Sequence, residues 1–195
     1  PNVDPYDEAR DARLYAGPWP VVAHPPCARW GAYWFGGPLV KPENRRKLGD
    51  DDGCFASALA AVRRWGGILE HPAHSRAWDR FGLANPPASG HWIAADFIGG
   101  WTAHVEQGHY GHRARKATWL YVHGIHPADL PRLTAGPSEA TAKLADGYSS
   151  NAERRAAHLG CRRSPCDLLS HRERAATPLP FRDLLLSIAR NARTT

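Results

Sequence analysis

The residues best suited to chemistry stand at three evenly spaced places in the chain. Cys27 is the first, Glu70 follows it by 43 residues, and Arg113, with Arg115 close behind, follows Glu70 by another 43. Cys27 comes directly after Pro25-Pro26, on a loop rather than inside an apolar run. A thiol there is reachable and becomes a strong nucleophile once ionised, whereas a cysteine serving only as a small hydrophobe belongs within the apolar run itself. Glu70 closes the short apolar run that starts at Gly67, and a carboxyl group at a strand end can hold a proton or a hydrogen bond for a bound ligand. A salt-bridged structural carboxylate is the plainer reading. Arg113 and Arg115 supply forked cationic groups for phosphate or base edges, although a basic loop is more often a solvated face.

Histidines at one repeated spacing raise a metal reading. His71 and His74, His109 and His112, and His123 and His126 are such pairs, with His24 and Cys27 a fourth and Cys161 with Cys166 a looser fifth. On a strand this spacing sends the two rings to opposite faces, so only a helix or a tight loop would turn both onto one ion. A zinc-binding protein is therefore kept as an alternative, with no residue assigned as a metal ligand.

Recognisable elements must position these groups. The apolar run at residues 17 to 24 reads as a buried strand opening onto the Cys27 loop. Residues 28 to 50 are long for a connection and rich in Gly, aromatic and basic residues, among them Arg29 and Trp30, which suits a cover over a substrate. Asp51 or Asp52 is expected to cap a helix running to about Trp65 with Phe55, Leu59 and Val62 on one face, stopped by Gly66-Gly67. A second strand covers 67 to 70, a helical segment 75 to 81, and an irregular stretch 84 to 100. Strands at 101 to 107 and 117 to 123 flank the polar loop that carries Arg113, Arg115 and Lys116. The order strand, helix, strand, helix, strand, strand predicts an α/β sheet with an antiparallel excursion at one edge. After Pro127 the chain turns polar, its segment 138 to 155 fitting either surface helices or a recognition insert. From Thr177-Pro178 a helix with the stripe Phe181, Leu184, Leu185, Ile188 and Ala192 must pack on the body. The organisation expected is a core over 1–126 and a polar insert with packing helix over 127–195.

Taken in order, Pro26-Cys27, Glu70-His71-Pro72 and Gln107 followed by Arg113-Ala114-Arg115 resemble the Pro-Cys, Glu-Asn-Val and Gln-x-Arg-x-Arg motifs of the cytosine-C5 DNA methyltransferases, over roughly residues 18 to 123. The resemblance implies a partial Rossmann-like methyltransferase sheet with helices on its faces and a small C-terminal helical segment. It also implies a chemistry. Cys27 would add to C6 of a flipped-out cytosine, making C5 reactive toward a one-carbon electrophile. Glu70 would hold ring N3 and the 4-amino group, and Arg113 or Arg115 would grip the O2 side and lower the thiol pKa. Pro26, Arg29, Trp30, Gln107 and Lys116 would line the substrate. S-adenosylmethionine is the donor implied, but the Gly-rich turn that cradles it does not precede Cys27, and Ala28 and His71-Pro72 depart from the family pattern. Methylenetetrahydrofolate, which serves the same Cys-to-C6 logic in thymidylate-synthase-like chemistry, or a second protein chain supplying the donor half, answers that departure. So does a non-catalytic DNA-binding module.

The bulk properties agree with such partners. The 195-residue chain carries 25 Lys and Arg against 19 Asp and Glu, a formal net charge of +6. That balance favours a polyanion, because each cation meeting a phosphate releases a counterion. Four cysteines are too few for a secreted disulfide scaffold. No apolar run reaches the roughly 20 residues of a membrane span, and residues 1 to 8 lack a signal sequence's apolar stretch. A cytoplasmic protein without a membrane partner is expected.

Overall fold

Asp51 organises the first layer of the fold. The computed structural model describes residues 3–37, 39–144 and 167–193; Cys161, Cys166 and most of the undecided polar segment lie outside them. Helix α1 (Cys54–Trp65) begins after Gly53, which has φ 77° and no side chain to cap with. Asp51 does that work from two residues upstream: its Oδ2 accepts the Phe55 N–H at 2.9 Å and the Trp30 indole N–H at 2.8 Å. Phe55, Leu59 and Val62 are all buried, as their spacing predicts. Gly66-Gly67 ends the helix, and Gly67 has a second duty. A Cβ on it would stand 2.0 Å from the Val21 carbonyl, so a side chain there would force apart strands β1 (Val21–Ala23) and β2 (Gly67–Pro72).

Strand β2 outlasts the expected end at Glu70, because His71 and Pro72 continue the pairing with Trp119 and Thr118 of β5 (Ala117–His123). Ser75 then caps the short helix α2 (Arg76–Arg80), its hydroxyl accepting from the Ala77 N–H. Within the stretch read as irregular, the two-residue β3 (Ile93–Ala94) pairs with β4 (Trp101–Glu106). Gln107 leaves β4 to begin a 3-10 turn, so that strand stops one residue early.

The sheet is mixed, with the order β1-β2-β5-β4-β3. Its β1–β2 pair is parallel and the other three are antiparallel. The antiparallel strand expected at an edge lies inside: β5 sits between β2 and β4 and is buried along six of its seven residues. A strand of that composition is stable only with both faces covered. Ala23, Leu69, Trp119 and Tyr121 face α1 and α2, packing with Phe55, Leu59, Val62 and Trp78. Ile68, Val105, Leu120 and Val122 face Phe181, Leu185 and Ile188 of the last helix. Each such fully buried side chain contributes about 1.5–3 kcal/mol.

That last helix, Leu179–Asn191, starts after Pro178 as Thr177-Pro178 predicts. It is preceded by a parallel pair, β6 (Ala142–Lys143) with β7 (Asp167–Leu168), and by α3 (His171–Ala175), and is here named α4. None of these three small elements is legible in the polar segment's composition. Among the described residues, no helix is long and apolar enough to cross a membrane.

Candidate functional site

The strand directions bring the candidate residues to one edge of the sheet. The ends of β1, β2 and β4 and the start of β5 coincide there, with Glu106 opposite Ala117 and Pro72 opposite Thr118. Cys27 follows β1, Glu70 lies near the end of β2, and Lys116 immediately precedes β5. In open α/β sheets ligands gather at the carboxyl ends of strands for the same reason: loops from separate strands converge.

Cys27, Glu70 and Lys116 stand within electrostatic reach of one another. Cys27 as a residue is exposed, yet its sulfur is crowded by protein. That partial burial, with the Glu70 charge beside it, pushes the thiol up from its ordinary value, while its own backbone N–H and the Lys116 ammonium act the other way. The arginines expected to lower the thiol pKa do not appear among its influences, and the cation that does is Lys116. Burial in turn lowers the Lys116 ammonium against the attraction of Glu70 and Cys27. Its Nζ donates to the Ala176 carbonyl at 2.9 Å, and its backbone holds φ 42°, an uncommon conformation for a side-chain-bearing residue. Glu70 also faces His24 across 3.1 Å, with the Glu70 side chain largely buried and His24 open to solvent.

Beside Cys27 opens a cleft of about 370 Å³, walled by Gly31, Ala32 and the segment from His71 to Arg76. Successive residues of β2 point to opposite faces. Ile68 packs toward α4 and Leu69 toward α1, so Glu70 and His71 diverge in the same way, His71 standing edge-on to Phe55 in the α1 layer. Cys27 therefore lies between a charged group, Glu70 with Lys116 and His24, and a cleft whose buried polar residues are His71 and Ser75. Burial holds the His71 imidazole neutral down to about 4. Arg76 lines the cleft mouth and is exposed.

The remaining candidates are distributed differently. Pro26 is exposed next to the thiol. Trp30 is buried at 3% exposure against Phe55 and Phe81, so it anchors the loop that follows Cys27. That loop closes at its base where Gly49 N–H donates to the Arg29 carbonyl at 3.1 Å. Gln107 is fully buried, its Nε2 donating to Thr118 Oγ1 at 3.0 Å, which ties the β4–β5 turn. Arg113 reaches Glu173 at 3.0 Å and so clamps α3 to this edge. Arg115 is exposed and makes no side-chain hydrogen bond or ion pair among the described residues.

The paired histidines are separated by their neighbours. His74 lies against Trp119, His109 faces the Gly136 carbonyl, His112 the Ala114 carbonyl and His123 the Ile98 carbonyl, while His126 caps a turn. Among the described residues no group of three or more His, Cys, Asp or Glu side chains is placed to hold a metal ion. His24, His71 and Arg76 were not assigned to the site from sequence. The alternation of β2 distinguishes His71 from Glu70, but its burial depends on α1 and α2.

A donor such as S-adenosylmethionine needs a Gly-rich turn with free backbone N–H groups. Ahead of β1 the described residues form a 3-10 turn, Ala12–Leu14, and irregular chain, and Gly17 is packed against the Trp65 ring, where a Cβ would stand 2.4 Å away. These residues do not fit that donor. Comparison of the chain with protein-family models, curated proteins and solved structures yields no match.

Proposed function

We propose that this chain is a DNA cytosine-C5 modifying transferase that works through a covalent bond between the Cys27 sulfur and C6 of a flipped-out cytosine. The observation that carries this reading is the convergence of Cys27, Glu70 and Lys116 from three separate strand ends, beside a cleft. The parallel β1–α1–β2 unit, with β5 inserted antiparallel between β2 and β4, supports a partial Rossmann-like methyltransferase sheet.

The chemistry gives each group a role. The thiol of Cys27, an exposed residue of its loop, gives up its proton to solvent and the sulfur bonds to C6, displacing the C5–C6 π pair through C4 onto N3, which takes up a proton, so that C5 becomes enamine-like and nucleophilic. Glu70 faces N3 and the 4-amino group and holds or delivers a proton as electron density arrives there. Lys116 stabilises the thiolate before attack and the O2 side afterwards. Arg76 and Arg115 meet flanking phosphates, and residues 28 to 50 close over the extruded base. The one-carbon electrophile is held elsewhere, for which a second protein chain along the outer edge of β1 is the simplest source.

The raised Cys27 thiol favours one other reading, a non-catalytic DNA-binding module. Incubation with DNA carrying tritium at cytosine C5, which thiol addition to C6 releases to water without any donor, separates the two. Release is expected from the native chain and none from Cys27→Ser. Release that survives in the Ser variant sinks the mechanism. Salt-dependent DNA binding without any release selects the binding module.

A further inference from the structure

His71 is 1% exposed, lines the Cys27 cleft, and has no hydrogen-bond partner on either ring nitrogen. The other buried side chains with unpaired polar atoms among the described residues, Gln107, Trp119, His123 and Arg174, do not line that cleft. Buried polar atoms without partners are uncommon and costly, and a ligand that supplies the missing partner removes the cost. The ring is held in place on two sides, edge-on to Phe55 at 5.2 Å and stacked toward Trp78 at 6.2 Å between centroids. Such packing fixes where its nitrogens point before any ligand arrives.

Two features define what the ring offers. The Pro26 carbonyl faces it and favours an N–H on that side, although without hydrogen-bond geometry, so the other nitrogen presents a lone pair. Burial keeps the imidazole uncharged down to about 4, while the neighbouring thiol is pushed above its ordinary value. Proton transfer from Cys27 to His71 is therefore steeply uphill, and no sulfur–nitrogen hydrogen bond joins them. A neutral acceptor remains.

We propose that His71 is a recognition residue of the cleft, whose free ring nitrogen accepts a hydrogen bond from the 4-amino group of a bound cytosine. This rests on the reading of the site given above, and it adds a second reader of the base on the face opposite Glu70. A pyrimidine lacking that amino group leaves the acceptor unpaired and is disfavoured.

The test compares duplexes carrying a single unpaired cytosine with duplexes carrying pyrimidin-2-one, the same ring without the 4-amino group, by fluorescence anisotropy on the whole chain with Cys27→Ser in every protein, so that thiol addition to the more electrophilic pyrimidin-2-one does not contribute. The protein with His71 intact is expected to favour cytosine by about tenfold, the worth of one neutral hydrogen bond. His71→Phe, which suits the surrounding aromatic rings, is expected to erase that preference. His71→Gln, which retains an acceptor, should keep part of it. A Phe variant with undiminished preference overturns the assignment, as does a protein with His71 intact that binds both duplexes equally. A protein with His71 intact that binds neither brings down the DNA reading itself, and this inference with it. If the Phe variant fails to fold, the ¹⁵N shift of the native His71 ring on addition of cytidine 5′-monophosphate decides: movement supports the hydrogen bond and a fixed shift overturns it.

Discussion

At the scale of single residues, the contrast between Glu70 and His71 is the most informative. They are neighbours in sequence, yet the pleat of β2 gives one to a charged cluster and the other to an aromatic core. The buried imidazole carries a measurable consequence. Its proton affinity falls from an unfolded value near 6.5 to about 4. Above pH 6.5 neither state is protonated and the group contributes nothing to pH dependence. Between 6.5 and 4 the unfolded chain binds a proton that the folded chain refuses, so stability declines through that window and levels off below it. The full decline is about 3 kcal/mol. Urea unfolding at pH 7 and pH 4.5 should show most of this loss in the native chain and much less in His71→Phe. Equal losses in both would mean that other groups set the acid sensitivity.

At the scale of elements, Asp51 links the α1 start to the Cys27 loop, since one carboxylate accepts from both the Phe55 backbone and the Trp30 indole. Replacing it removes a helix cap and leaves the indole N–H without its partner. Asp51→Ala is expected to destabilise the fold by about 2–3 kcal/mol, the sum of a lost cap and an unpaired buried donor. The 28–50 segment should also become more open to proteolysis, because its anchor is released. A denaturation midpoint within about 0.5 kcal/mol of the native chain would show that Gly53 and solvent cap α1 adequately.

At the scale of the whole molecule, a three-layer arrangement presents one open sheet edge to a ligand, while the outer side of β1 pairs with no strand among the described residues. On the proposed reading, a donor-binding half would continue the sheet along that side. Among the described residues, no Gly-rich turn ahead of β1 offers a backbone cradle for an adenosine-bearing donor. Calorimetric titration with S-adenosylmethionine should therefore give no binding in the micromolar range. Tight binding would require the residues after 127, with α4, to rebuild a pocket that the resemblance places ahead of Cys27.

Strands β1, β2, β4 and β5, with α1 and α4, were legible in the sequence because each follows a local rule: alternation or continuous burial, apolar residues at helical spacing, and Gly or Pro at the ends. Placement of Cys27 and Glu70 beyond or near strand ends was legible for the same reason. The interior position of β5 was not, since strand order depends on which faces α1 and α4 can cover together. Nor was the choice among cations. Arg113, Arg115 and Lys116 look interchangeable along the chain, but Arg113 is taken by Glu173 while the positive φ of Lys116 and the direction of β5 put that residue next to Cys27. Trp30, in loop-like sequence, and Gln107, at an expected strand end, became interior supports for a comparable reason. Local sequence determined which segments form the main strands and helices, although pairing with β5 carries β2 two residues beyond its expected end. Only the packing of distant segments decided which side chains share the space at those ends, because that depends on burial and charge contributed from across the chain.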